Sequence, residues 1–345
     1  MSENKKGNSF PADLRVVLAS TGFILAYVAL IWLLGPRLAQ VPHLPDQGAG
    51  WYFWKLPEPT MMGRITAWGG YLLHQLANFA LIYRAKQLSL RSIEAGGIRY
   101  SNQLHKINII ALVVNAVFII LHLAQTHLWY DGLAQDTHVF SSLVSVAILL
   151  IWVLMMETPR RGLFFGVKVP IRTEVLDFAK KYHGYYFSWA IIYTFWFHPA
   201  EASLGHLWGF FYLLLIMLQG SLFFTRMHTN RYWTLLLEVL VLVHAFVVAR
   251  LQGAGMWPMF AFGFGSIFVI TQMHGLGWSR LKRAVILALY LLALFLVYRE
   301  RGFSHVNEVF RIPVIDYLGV FILTVLFTGW LRVLKTFSHQ KKVDH

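Results

Sequence analysis

The chain has 345 residues, of which 57% are hydrophobic and 13% charged, with a formal net charge of +14 and no cysteine. That much apolar surface exceeds what a soluble core can cover, so lipid is its natural solvent and an all-α fold follows, because a helix pairs its backbone polar groups within its own span. The missing cysteine excludes disulfides, iron–sulfur ligation, covalent c-type haem and thiol catalysis, and the basic excess sits in short connections between apolar blocks, which assigns it to membrane topology and excludes nucleic acid as its partner.

The apolar blocks run to roughly 18–23 residues, the length at which a helix crosses a hydrocarbon core of ~30 Å. One transmembrane domain over 1–345 is predicted, a polytopic bundle of about ten spans. The polar, basic stretch Met1 to Arg15 leads into a first span at 16–35, too long for an ordinary signal-peptide core and therefore uncleaved. An outer segment at 36–62 follows. It carries Pro42, Pro45, Pro57 and Pro59 with Trp51 and Trp54, and reads as an ordered cap at headgroup level. Spans at 65–83, 107–127 and 139–156 lead to a basic cytoplasmic loop at 157–182, and the remaining spans fall at 184–198, 206–225, 233–251, 257–276, 284–298 and 314–331.

With the amino terminus inside, about 23 of the 30 Lys and Arg lie on the inner side. They include Arg84, Lys86, Arg91 and Arg99 in one connection and Arg160, Arg161, Lys168, Arg172, Lys180 and Lys181 in another. This distribution predicts a multi-pass protein of the cell inner (plasma) membrane with both termini cytoplasmic.

Histidine is the informative residue type, with 15 in the chain, most of them in spans or close to span ends. An outer layer contains His122, His127, His138, His198 and His206 beside the carboxylates Asp131, Asp136 and Glu201. An inner layer contains His105, His183, His228 and His274, with Glu238 nearby in the seventh span. His74 and His244 fall near mid-depth. Interfacial histidine often only meets headgroups or caps a helix, but ionisable groups at membrane depth cost several kcal/mol unless they face a partner or water, which marks Glu238, His74 and His244.

Three chemistries follow from this pattern. In the first, imidazoles hold a metal or b-type haem that acts on a lipophilic small molecule, a quinone or lipid, as in a membrane oxidoreductase. Its outer ligands are His122, His127, His138, His198 and His206, for zinc or iron, with Glu201 or Asp131 as base; His105, His183, His228 and His274 with Glu238 form a second cofactor centre or a proton path. Helix geometry strains the two-haem version, since the 17 residues from His105 to His122 turn ~100° away from a shared face. The chain also lacks the adjacent His-His pairs of membrane hydroxylases. The second chemistry is a metal-free membrane transferase of acyl or glycosyl groups, with Arg64 and His74 on one helix. The third is a proton-coupled carrier relaying through Glu238, His74 and His244. No Gly-rich phosphate loop, serine elbow or aspartate-rich diphosphate motif is present.

Overall fold

The computed structural model describes residues 12–45, 54–94, 100–251, 253 and 255–343. Trp51 of the outer segment, Arg99 of the first inner connection and the first residues of the amino-terminal stretch lie outside them. The described residues are all-helical, with no named strand. Ten α-helices follow in order: α1 Ala12–Leu34, α2 Met61–Glu94, α3 Lys106–Trp129, α4 Val139–Arg161, α5 Thr173–Phe197, α6 Leu204–Ser221, α7 Arg231–Leu251, α8 Trp257–Ile270, α9 Arg280–Arg301 and α10 Arg311–Val343.

Among the described residues, seven segments are long and apolar enough to cross a membrane: those built on α1, α3, α4, α6, α7, α9 and α10. The other three fall short of the sequence expectation for two physical reasons. In α2 and α5, which are 34 and 25 residues long, polar side chains interrupt the apolar run. In α8 the chain makes only 14 residues, about 21 Å of helix, before it tightens at Gln272–Leu276. The basic segment at 157–182 is mostly helix: α4 runs to Arg161 and α5 begins at Thr173. The left-handed Gly162, at φ +75°, ends α4 by donating its N–H to the Thr158 carbonyl, and a Cβ there would meet the Gly166 backbone.

The chain forms two compact units, Met1–Ser142 with Ser188–Leu237, and Leu143–Phe187 with Glu238–His345. In the first, α2 packs on α3, and α6 packs on both α1 and α3. In the second, α8 packs against α9 and α10 and against the 3-10 segments Gln272–Leu276 and Phe303–Phe310. Its core joins Trp152, Met155, Leu163, Val175, Ala179, Ile267 and Val320. Helices α9 and α10 expose Leu289, Leu292, Phe295, Ile315, Leu318, Ile322 and Val325. Apolar area this continuous suits contact with acyl chains better than contact with water.

Candidate functional site

The first unit holds two polar assemblies. One is buried between α2, α3, α6 and the end of α5. His74 Nε2 lies 2.8 Å from Asn115 Oδ1, which also accepts from Asn78 Nδ2 at 2.9 Å. Asn115 Nδ2 donates to Ser221 Oγ at 2.9 Å, and Asn108 Nδ2 reaches the Ser221 and Phe223 carbonyls at 2.8 and 2.9 Å. Trp196 Nε1 donates to His74 Nδ1 at 3.2 Å. Indole is only a donor, so Nδ1 is the acceptor and Nε2 carries the proton. Both ring nitrogens of His74 are thereby committed, and its ring stacks on Phe118 at 4.4 Å. His74 acts as a pin between helices.

The second assembly lies beyond the end of α3. Tyr130 sits at φ +27°, a conformation that non-glycine residues rarely adopt, and its ring packs with Leu38, Leu56 and Val41. Its hydroxyl donates to Glu201 Oε1 at 2.6 Å and lies 2.7 Å from His43 Nε2, while His43 and Glu201 are 4.0 Å apart. With the Tyr130 hydroxyl proton donated toward Glu201, His43 Nε2 donates to the phenol oxygen and the lone pair resides on Nδ1. Glu201 is buried, whereas 22% of the His43 side chain remains accessible. Burial raises the Glu201 carboxyl above its usual value, opposed by bonds from Tyr130 and the Ala202 backbone, and burial lowers His43. Aromatic rings extend the assembly: Trp54 meets His43 at 5.4 Å and His206 at 4.8 Å, and His206 meets His198 at 5.3 Å.

Three segments are fastened together to hold this geometry. Gln135 clamps the Leu56 backbone, accepting from its N–H at 2.9 Å and donating to its carbonyl at 3.1 Å. Ala200 N–H donates to Thr126 Oγ1 at 2.9 Å. Arg64 Nη1 reaches both Asp131 oxygens at 3.0 and 2.9 Å, Arg64 Nη2 pairs with Asp136, and Trp68 Nε1 donates to Asp136 at 2.7 Å. Asp131 also accepts from Gly132 N–H at 2.7 Å. Burial raises the Asp131 carboxyl, with the Gly132 N–H and Arg64 pulling the other way. Its bonds make Asp131 the anchor of Arg64.

The other histidines are dispersed. His122 is fully enclosed by Phe195, Trp196 and Phe210, at ring separations of 4.5, 4.8 and 5.8 Å; neither nitrogen makes a hydrogen bond of normal geometry, and the His198 backbone approaches it. His127 Nε2 is buried without a hydrogen-bond partner. His138 accepts from the Phe140 N–H and stacks on that ring. His105 caps α3, and His228 Nδ1 bonds the Gln219 carbonyl. In the second unit, His183 Nδ1 bonds the Lys180 carbonyl, and His274 is held by the Val269 carbonyl and Arg283. His244 lies half-buried on α7. Glu238 Oε2 accepts from Arg161 Nη1 at 2.7 Å, making a buried ion pair.

Among the described residues, no three His, Asp or Glu side chains come together in a way that could hold a metal ion. The outer-layer expectation of a five-histidine metal site therefore finds only the His198–His206 pair assembled. Comparison with known proteins finds no matching family model, no similar curated protein and no similar solved structure. His43 and Tyr130 were missed from sequence, since sorting histidines by depth gave no weight to a loop position. The available signal was His43 between Pro42 and Pro45, in a segment stiffened by proline.

Proposed function

We propose that this chain is a multi-pass enzyme of the inner (plasma) membrane, with about ten helices crossing and both termini cytoplasmic. In this reading its outer-face array of His43, Tyr130 and Glu201 performs metal-free acid–base group transfer on a lipid-linked substrate. The observation that carries the reading is the phenol of Tyr130 held 2.7 Å from an accessible imidazole and 2.6 Å from a buried carboxylate. A base oriented by a second group, itself oriented by a third, is the arrangement that activates a hydroxyl nucleophile.

In this reading His43 Nδ1 takes the proton of a substrate hydroxyl as its oxygen bonds to the acyl or glycosyl carbon. The donor's leaving oxygen departs with the bond electrons and receives that proton from the imidazolium. Tyr130 and Glu201 stabilise the imidazolium meanwhile. Trp54, His198 and His206 form the wall beside the reacting groups. The lipophilic substrate enters laterally, as expected for a site at the membrane face.

The test is reconstitution of purified protein into vesicles of total bacterial lipid, with products followed by mass spectrometry. Wild type is expected to generate a lipid-derived product, and His43→Ala to slow it about 10²–10⁴-fold, the usual contribution of a positioned general base. Undiminished product from His43→Ala would sink the reading. A Soret band or stoichiometric iron or zinc in active protein purified without chelator would return the haem or metal chemistry to first place.

A further inference from the structure

The second unit carries a cleft of about 180 Å³ where the beginning of α5 meets the last turns of α10. Arg172, Arg332 and Lys335 line it against a single acid, Glu174, and its walls are Val175, Thr328 and Leu331. Lys335 Nζ lies 2.8 Å from Glu174 Oε1 and Arg172 Nη2 lies 3.5 Å from Glu174 Oε2, so one carboxylate is shared by two cations. Arg332 has no ion-pair partner among the described residues. The cleft therefore keeps a net charge of +2 from three cations and one anion.

Its position gives that charge a meaning. The candidate span on α10 ends at Thr336, so Arg332 and Lys335 stand where an apolar helix leaves the membrane. On the apolar side, α10 continues with exposed Ile322, Val325, Leu326 and Trp330. A basic cleft at headgroup height above an apolar helix face fits a molecule that is anionic at one end and aliphatic at the other. We propose that this cleft binds the headgroup of an anionic phospholipid. The phosphodiester lies between the guanidinium groups of Arg172 and Arg332, whose planar forks suit phosphate oxygens, and an acyl chain runs down α10. This inference is independent of the chemistry proposed for His43.

The experiment titrates the full chain in detergent with dioctanoyl phosphatidylglycerol, dioctanoyl phosphatidylcholine and inorganic phosphate, read by native mass spectrometry. Phosphatidylglycerol is expected to bind in preference to phosphatidylcholine. The double variant Arg172→Gln/Arg332→Gln should bind it about 30-fold more weakly, from two cations at the usual contribution of each near an anionic surface. The thermal midpoint should not change, since both arginines are exposed. Glu174→Gln should tighten phosphatidylglycerol binding by removing the competing carboxylate. Equal binding of the two lipids, or phosphatidylglycerol binding indifferent to the double variant, overturns the proposal. Inorganic phosphate bound as tightly as phosphatidylglycerol also overturns it and assigns the cleft to a free anion.

Discussion

Tyr130 concentrates strain and polarity in one residue: its backbone is in a region that favours glycine, and its hydroxyl hydrogen-bonds both His43 and the buried Glu201. Tyr130→Phe keeps the ring packed on Leu38 and Leu56 but deletes that link. Leaving a buried carboxylate short of a donor costs about 1–3 kcal/mol, so the thermal midpoint should fall while the fold survives. Glu201 itself gives a pH signature. Its folded value is raised above the ordinary 4.5 of a glutamate, so its favourable contribution is complete below 4.5 and is lost as pH rises through the folded value. His43 is lowered from 6.5, so its contribution is complete above 6.5 and is lost as pH falls through its folded value. Glu201→Gln should therefore gain stability over wild type as pH rises above 4.5, followed by tryptophan fluorescence in nanodiscs. Parallel curves for the two proteins would refute the assignment of that slope to Glu201.

At the scale of the helix, the apolar pattern made the order of all ten elements legible, because long stretches free of charge admit few alternatives. Their ends were less so. Val175, Leu176 and Ala179 recur at helical spacing on the buried face of α5, within the basic segment whose sequence reads as a cytoplasmic loop with room for an interfacial helix. The candidate site was harder still. Composition flagged histidines, but what separates His74 from His43 is the company each keeps: Asn115 and Trp196 occupy both nitrogens of the first, and the partners of the second come from segments 87 and 158 residues away. No local pattern encodes such partnerships. The packing of α2 against the end of α5 also depends on a close approach, since a Cβ on Gly70 would run into the Trp196 ring. Gly70→Ala must displace that ring and its bond to His74, costing about 1–3 kcal/mol by overpacking. Asn115→Leu should cost a similar amount by stranding His74, Asn78 and Ser221, with each interhelical bond in a membrane worth about 0.6–2 kcal/mol. Unchanged unfolding midpoints for both variants would mean the network is ornamental.

For the molecule as a whole, the decisive quantity is which side of the membrane each connection occupies. The 24 residues of α3 reach ~36 Å, enough to cross ~30 Å of hydrocarbon. Before α3 and at its first residue the chain carries Arg84, Lys86, Arg91, Arg99 and Lys106; after it, residues 130–138 contain Asp131 and Asp136 and no Lys or Arg. In the topology proposed above positive charge stays on the cytoplasmic side, which would put residue 102 inside and residue 138 outside, together with the His43, Tyr130 and Glu201 array. Because the chain has no cysteine, each introduced thiol is unique. Asn102→Cys and His138→Cys place one thiol at an exposed position on either side of α3. A membrane-impermeant maleimide applied to intact cells should label Cys at 138 and spare Cys at 102 until the membrane is permeabilised. Labelling of both in intact cells would mean that α3 does not cross. The reverse pattern would invert the orientation and bring the acid–base array to the cytoplasmic face, where soluble activated donors are available and the substrate class would have to be reconsidered.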